Sequence, residues 1–279
     1  MSTHGDVLVE RRGSIMLLTL NRPERHNAIG GTMLQELAAA FTEAANDDSV
    51  HVVVTAATGA SFCVGADAAD LGDMGETGAR ELLSGTELGG KKGLPQLTAY
   101  ERDLDDLGNA GRWTDLMWRL EKPTIAAVNG AAVGGGFGIA LLHDLRVASQ
   151  QARLGAGFAP LGLAPELGIS LLLPRLVGLS AASDLLYTGR VVGADEALSL
   201  GLVNEVAPED TLLDRTLELA DRVAAMPPMG LRATKRLLRR SMTSLMAEQL
   251  RAEHATHLVL FDHPETHAAL GRLAERLTR

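Results

Sequence analysis

Residues 124–149 read TIAAVNGAAVGGGFGIALLHDLRVAS, one passage from strand through glycine turn and helix to strand. Thr124–Val128 is short and largely apolar and follows a proline, which predicts a buried strand. The glycines at 134–136 predict a turn that leads into a helix over Gly135–His143. Leu145–Ser149 is predicted to be the next strand. Two parallel strands need a crossover connection of this kind, so the passage indicates a parallel sheet.

The same order of elements occurs nearer the N-terminus. Strands are predicted at Val7–Glu10 and Ile15–Leu20, with a tight turn at Gly13 between them. Gly31–Ala45 has helical spacing, and Val50–Ala56 is a strong strand. Further helices are predicted at Trp113–Leu120, Ser170–Val177 and Ala181–Tyr187. Because the strands are mostly apolar, we expect an α/β fold whose mainly parallel sheet is covered on both faces.

Two segments depart from this pattern. From about residue 71 to residue 109 glycine and charged residues are frequent, which predicts helical fragments and loop over a site. After Asn204 the chain is nearly continuous helix, which is typical of packing or assembly, with breaks at Pro208, Pro227-Pro228 and His263-Pro264. We therefore predict a core of residues 1–205 and a C-terminal helical region of residues 206–279.

Composition narrows the class of protein. Of the 279 residues 46% are hydrophobic and 22% are charged, as in an ordinary globular domain. The net charge of −9 argues against nucleic acid as the main partner. Apolar runs such as Ile169–Leu173 are far shorter than the roughly 20 residues of a membrane helix. With a single cysteine, Cys63, and no visible secretory signal, we expect a soluble, cytoplasmic protein.

Two glycine turns carry the chemical prediction. Gly65-Ala66-Asp67 and Gly134-Gly135-Gly136 each follow a predicted strand and precede a helix start, where backbone N–H groups lack helical partners. If the two turns face each other, two N–H groups converge on one oxygen and form an oxyanion hole. The alternatives are a tight connection or a phosphate cradle. Neither turn has the spacing of a Walker loop, and Gly134–Gly138 does not fit the dinucleotide fingerprint.

Together with their surroundings these turns resemble the crotonase family, also called the enoyl-CoA hydratase/isomerase superfamily. The matching stretches follow the family order and are Asn21-Arg22-Pro23-Glu24 with Asn27-Ala28, Phe62–Asp67, Lys122–Gly130, Gly134-Gly135-Gly136 leading to Asp144–Ala148, Leu161-Gly162-Leu163, Pro174–Gly178 and Ala194–Asn204. The resemblance implies a spiral of ββα units with a C-terminal helical trimerisation region. It also implies a homotrimer or homohexamer that binds an acyl-CoA thioester.

The resemblance assigns the site by position. It implies that the oxyanion-hole donors are the N–H groups of Ala66 and Gly135, and it implies no separate cofactor, since coenzyme A is part of the substrate. The residues predicted to contact coenzyme A are Arg22, Arg25, Ala28, Ala66, Asp67, Ala68, Gly134 and Gly135. Asp67 is also a candidate helix cap. A basic cluster, Lys235, Arg236, Arg239 and Arg240, is either a solvated helix face or a second phosphate contact.

The two glutamates of the family's hydratases are missing. One belongs two residues after the triple glycine, where Gly138 stands, and the other four residues before the glycine of Leu161-Gly162-Leu163, where Phe158 stands. Neither residue transfers a proton, so hydration by that pair is not expected. Glu166 lies where some isomerases and a dehalogenase branch of the family carry a working aspartate.

Glu166 has two interpretations. A double-bond shift needs one carboxylate that removes a proton and returns it elsewhere, and Glu166 supplies it. Alternatively, Pro165-Glu166 is a helix opening, with proline at the first position and an acid near the positive end of the dipole. Both remain open at the level of sequence.

Other candidates have structural explanations. Asp144 is expected to be a buried hydrogen-bonding residue, and His143 either a partner of the site or the cationic end of a helix. Cys63 is expected to pack as a small hydrophobe. Four histidines invite a zinc prediction: His254, His257, His263 and His267. No acid or cysteine is arranged with them as in known zinc signatures, and Pro264 breaks the helix between the two pairs. No metal site is therefore predicted, and a solvated or interface face is favoured.

Four functions compete. The leading one is an enoyl-CoA isomerase that uses Glu166 as its acid/base. Glu166 could instead drive thioester or carbon–halogen hydrolysis, or the protein could bind acyl-CoA without turnover. A hydratase would need acids from the variable segment: Glu76, Glu81 or Glu87.

Overall fold

The larger sheet is the centre of the computed structural model, which describes residues 5–67 and 106–277. It has six strands, in the spatial order β1 (Val7–Arg12), β2 (Ile15–Leu20), β3 (Val52–Ala57), β5 (Thr124–Val128), β7 (Leu145–Ser149) and β10 (Glu205–Ala207). Only β1 and β2 pair antiparallel, as a hairpin; the other four pairings are parallel. The predicted mainly parallel sheet is therefore confirmed.

A smaller sheet runs beside it. Its strands are β4 (Ser61–Cys63), β6 (Ala131–Val133), β8 (Arg153–Gly155) and β9 (Val192–Gly193). Each of β3, β5 and β7 is followed directly by a strand of this smaller sheet, and β4 and β6 lie side by side in parallel. This repetition of two strands is the ββα unit expected from the resemblance, and it places the ends of β4 and β6 at one edge.

Helices cover both faces of the larger sheet. They are α1 (Met33–Asn46), α2 (Gly108–Arg119), α3 (Gly135–Leu142), α4 (Ile169–Val177), α5 (Leu179–Thr188), α6 (Ala194–Ser199), α7 (Leu212–Ala224), α8 (Pro228–Phe261) and α9 (Pro264–Leu277). Leu212 and Ala220 of α7 pack on the face that carries Ile15 and Val52. The other face joins the main core, where Trp113 is fully buried. Alternating strand residues thus serve two cores, which explains why the strands are apolar throughout.

Most predicted elements are confirmed within a few residues. The exception is α2, which begins at Gly108 and not at Trp113, so the predicted variable segment ends too late. Its remainder, up to residue 105, lies outside the described residues. The breaks at Pro208, Pro227-Pro228 and His263-Pro264 do separate the C-terminal helices, and no described helix is long and apolar enough to cross a membrane. The division at residue 205 stays a prediction; β10 crosses it and pairs with β7.

Candidate active site

The two glycine turns lie against each other. Gly65 follows β4 and Gly134 follows β6, and the parallel pairing of these strands brings the turns together. A Cβ on Gly65 would lie 3.0 Å from the carbonyl oxygen of Val133 and 3.2 Å from the backbone nitrogen of Gly135. Gly65 has φ +89°, a conformation that other residues resist. Glycine is therefore required here for two reasons, the backbone angle and the close approach of the second turn.

Two backbone N–H groups remain unused at this junction. Ile29 donates to the carbonyl of Gly65 (2.7 Å) and accepts from Asp67 (3.0 Å), so the N–H of Ala66 between them points away from Ile29. Gly135 is the first residue of α3, where no helical acceptor exists for its N–H. Within residues 5–67 and 106–277 neither N–H has a hydrogen-bond acceptor. Both belong to residues that line one cavity, so the arrangement can receive a single negatively charged oxygen.

This cavity has a volume of about 470 Å³. Ala66 and Gly135, whose N–H groups are unused, belong to its wall, and Glu166 lines it as well. Its apolar lining includes Phe158, Leu161, Leu163, Phe261 and Leu273. The size and lining suit an apolar ligand that carries one polar group to the donors.

Gly138 leaves no space for a side chain. A Cβ at this position would lie 2.7 Å from the Cβ and 3.1 Å from the Cδ1 of Leu167, which is buried. Leu167 has φ +56°, so its backbone is held in a conformation unusual for leucine. The space in which one hydratase glutamate would start is thus filled by a leucine.

Phe158 stands where the resemblance leads us to expect the other hydratase glutamate. Its side chain lines the cavity, and its ring meets the imidazole of His257 edge to face, with centroids 6.4 Å apart. An aromatic wall here cannot transfer a proton, but it narrows the cavity and shields the histidine from water.

Glu166 lies in a loop and not at a helix opening. The helix α4 begins at Ile169, after Gly168 in the left-handed conformation, so Pro165 is not its first residue. The helix-opening interpretation is therefore wrong. The Glu166 side chain is 26% exposed and lines the main cavity as well as a small cavity behind it.

The acid at the start of α4 is Glu253, from α8. Its carboxylate accepts hydrogen bonds from the N–H of Gly168 (3.0 Å) and from the N–H (3.3 Å) and hydroxyl of Ser170. Burial raises the pKa of Glu253 to about 7, against the lowering effect of these hydrogen bonds. Glu253 thus takes the structural role that the sequence offered to Glu166, and it fixes the turn next to Glu166.

His257 is a site residue that the sequence analysis missed. It lies one turn after Glu253 on α8 and lines the cavity, with its Nδ1 4.0 Å from Oε2 of Glu166. We expected the C-terminal helices to serve packing or assembly, and this expectation was incomplete, because Phe261 and Leu273 line the cavity too. The four-residue spacing of Glu253, His257 and Phe261 places all three on one helix face, a signal that the sequence contains.

The predicted coenzyme A contacts fall into three groups. Arg25 and Ala28 line the cavity, together with Ala66, Asp67, Gly134 and Gly135. Arg22 does not line it; its guanidinium contacts Asp67 (3.1 Å) and donates to the carbonyl of Ala28 (2.6 Å). Asp67 also binds Arg25, so its carboxylate holds both arginines. Ala68 lies outside the described residues, and so does the helix that Asp67 was expected to cap.

The basic cluster on α8 is divided between interior and surface. Lys235 and Arg239 are buried and both bind Asp144, at 2.7 Å each. Burial alone would raise the pKa of Asp144, but the two cations lower it below its ordinary value. The predictions of a solvated face and of a phosphate contact are therefore both wrong for Lys235 and Arg239. Arg236 and Arg240 are exposed. The prediction that Asp144 is a hydrogen-bonding residue is confirmed.

His143 and Cys63 belong to the core. His143 bonds the carbonyl of Ile139 and the hydroxyl of Thr55, at 2.8 Å each, and burial lowers its pKa to about 4. His143 is therefore neutral, and the prediction that it is the cationic end of a helix is wrong. Cys63 is fully buried, and burial raises the pKa of its thiol to about 12. Neither residue lines the cavity.

The four histidines of the C-terminal region do not form one cluster. His257 lines the main cavity, His254 and His257 both line the small cavity behind Glu166, and His263 and His267 are exposed. In the described part of the chain no three His, Cys, Asp or Glu residues are arranged to hold a metal ion.

The chain is similar in sequence to known proteins. The sequence profile of the family "Enoyl-CoA hydratase/isomerase" matches residues 10–88 and 99–279. The chain is 36% identical over 239 residues to the short-chain-enoyl-CoA hydratase of Clostridium acetobutylicum, covering 85% of this chain and 82% of that protein. It is 33% identical over 273 residues to the 2,3-dehydroadipyl-CoA hydratase of Escherichia coli, covering 98% and 97%.

Solved structures give the same result for the fold. A crystal structure of an enoyl-CoA hydratase/isomerase from Pseudoalteromonas atlantica superimposes with a TM-score of 0.81, at 29% identity and over 98% of each chain. A structure of PA4980 from Pseudomonas aeruginosa has 34% identity and a TM-score of 0.71, over 91% of this chain and 99% of that one.

Proposed function

The chain belongs to the enoyl-CoA hydratase/isomerase family, and we propose that it shifts a carbon–carbon double bond in an acyl-CoA thioester, with Glu166 as its single acid/base. One observation carries this proposal. Glu166 lines the same cavity as the N–H groups of Ala66 and Gly135, while Gly138 and Phe158 occupy the positions of the hydratase glutamates.

The chemistry follows from these groups. The thioester oxygen of a 3-enoyl-CoA accepts hydrogen bonds from Ala66 and Gly135, which makes a proton on Cα more acidic. Glu166 removes that proton, and the charge spreads over a dienolate whose oxygen the two donors stabilise. The protonated Glu166 then returns the proton to Cγ. The product is the conjugated 2-enoyl-CoA, and no atom is gained or lost.

The cavity also suggests the class of acyl group. Its aromatic and leucine side chains favour an apolar chain over a charged one. Arg25, at the cavity wall, is placed to approach the phosphates of coenzyme A. We propose no cofactor besides the coenzyme A of the substrate. Assembly as a homotrimer or homohexamer, implied by the resemblance, stays a prediction.

Hydration is the second candidate, because two relatives are named as hydratases. It requires one group that activates water and one that protonates Cα. The acids that we considered for this purpose, Glu76, Glu81 and Glu87, lie outside the described residues. Hydrolysis of the thioester, and binding without turnover, remain as third and fourth outcomes.

The test separates these functions by product. Purified protein is incubated with 3-enoyl-CoA and with 2-enoyl-CoA, while conjugation, hydration and free thiol are followed separately. We expect conjugation of 3-enoyl-CoA, reduced at least a hundredfold in Glu166→Gln and unchanged in the control Glu248→Gln, an exposed position on α8. A double-bond shift that Glu166→Gln leaves intact overturns the proposal. Free thiol would favour a hydrolase, and tight binding without turnover a carrier.

A further inference from the structure

His257 carries a buried nitrogen without a partner. Only 3% of the residue is exposed, and its Nε2 lies 2.8 Å from the carbonyl oxygen of Ala164. A carbonyl accepts and never donates, so Nε2 carries a ring proton, and in this tautomer Nδ1 presents a lone pair. Within the described residues Nδ1 has no hydrogen-bond partner. An unsatisfied buried polar atom is costly, so its persistence calls for a function.

The ring is held so that Nδ1 faces Glu166. Phe158 meets the imidazole edge to face, and Phe261 packs on it with ring centroids 5.6 Å apart. Nδ1 lies 4.0 Å from Oε2 of Glu166, about 1 Å too far for a hydrogen bond. Catalytic hydrogen bonds are often long in the free protein and shorten when the substrate binds.

Other titratable groups also lie near His257. On its own helix, Glu253 binds Gly168 and Ser170, and His254, which lines the small cavity together with His257, has its pKa lowered by burial and by His257. From the side of α2, Arg112 and Asp106 act on His254. Glu166, from the loop before α4, is the group that the free Nδ1 faces.

We propose that His257 is the positioning residue of Glu166: its Nδ1 accepts a hydrogen bond from the carboxylic acid form of Glu166 halfway through the double-bond shift. When Glu166 takes the proton from Cα, its carboxylate becomes an acid that needs an acceptor. The lone pair of Nδ1 supplies one, while the proton stays on Glu166. Glu166 then gives this proton to Cγ, and the hydrogen bond to His257 breaks. This inference rests on the proposed function.

Two substitutions separate the two nitrogens. In His257→Gln the amide nitrogen reaches the position of Nε2, so the bond to Ala164 is kept and the acceptor at Nδ1 is lost. In His257→Asn the amide reaches the position of Nδ1, so an acceptor is kept and the bond to Ala164 is lost. His267→Gln, at an exposed histidine of α9, is the matched control.

The expected result is a larger loss in His257→Gln than in His257→Asn. Losing one hydrogen bond to the acid form should lower kcat for 3-enoyl-CoA about tenfold in His257→Gln, with KM within twofold. The acidic limb of the pH profile of kcat, which reports the substrate complex, should move to lower pH, because the acid form of Glu166 has lost its acceptor there. His267→Gln should behave as wild type in all three measurements.

A double-mutant cycle makes the assignment independent of folding. If His257 acts through Glu166, His257→Gln should not lower the residual rate of Glu166→Gln any further. Wild-type kcat in His257→Gln, with an unmoved acidic limb of its pH profile, would overturn the role of His257. If Glu166→Gln is inactive in the same experiment, the proposed function stays intact. A greater loss in His257→Asn than in His257→Gln would assign the histidine a purely structural role through Ala164. A fully active Glu166→Gln would overturn both proposals.

Discussion

Leu167 fills the space next to Gly138, where a Cβ would lie 2.7 Å from the Cβ of the leucine. A glutamate at position 138, which the resemblance leads us to expect in a hydratase, therefore has no space beside the buried side chain of Leu167. The backbone of Leu167 at φ +56° directs this side chain against α3. Apolar packing thus fills the region next to Gly138.

The first prediction concerns this pair. Gly138→Glu should lower the free energy of unfolding by about 1–3 kcal/mol because of overpacking, and it should not produce hydration of 2-enoyl-CoA. Leu167→Gly removes the obstructing side chain and suits a positive φ. In the Gly138→Glu background, Leu167→Gly should lower the free energy of unfolding by about 0.5–3 kcal/mol less than it does in wild type. Denaturant unfolding of the four proteins gives this coupling; additive effects would contradict it.

The second prediction tests the oxyanion hole through Gly65. Gly65→Ala should reduce kcat by a factor of about 10²–10³, because its Cβ presses on the nitrogen of Gly135 and displaces a donor. Gly178→Ala is the matched control. Gly178 has φ +81°, close to that of Gly65, but a Cβ there meets nothing within 4 Å. Both substitutions strain the backbone, so equal losses of activity would show that strain and not the donor is responsible.

Local pattern was enough to predict the elements and the two turns. Ile15–Leu20, an apolar run that ends at Asn21, and Leu145–Ser149 are strands with the predicted bounds. The meeting of the two turns was only a condition at the level of sequence, because they follow β4 and β6, and neither of these short strands was predicted.

The environment of Glu166 was beyond the reach of local pattern. Glu253 bonds a turn 85 residues earlier in the chain, and His257 bonds Ala164 across 93 residues. Which face of the long helix α8 meets this loop depends on how the helix packs against α2 and α4, and that is a property of the assembled core. The burial of Lys235 and Arg239 also depends on the assembled core, because the sequence pattern of a basic helical cluster alone predicts surface residues.

The third prediction concerns Asp144. Asp144→Asn should lower the free energy of unfolding by about 3–5 kcal/mol, because it leaves the buried cations of Lys235 and Arg239 without their anion. The surface control Asp115→Asn breaks an ion pair with Arg119 on α2 and should cost about 0.5 kcal/mol or less. Urea unfolding near neutral pH measures both. Similar costs for the two substitutions would contradict a buried network at Asp144.

The fourth prediction uses the pKa of Glu253, which burial raises to about 7 from its ordinary value of 4.5. Between these values the folded protein holds a proton that the unfolded chain has lost. Stability from this group is therefore present at low pH and is lost as pH rises toward 7.

In Glu253→Gln this dependence should disappear. The difference in free energy of unfolding, wild type minus variant, should therefore fall as the pH rises from 4.5 to 7. Glu248→Gln, an exposed acid on the same helix, should keep the wild-type slope. If Glu253→Gln also keeps it, the carboxyl group of Glu253 is ionised throughout this range, and its hydrogen bonds to Gly168 and Ser170 outweigh its burial.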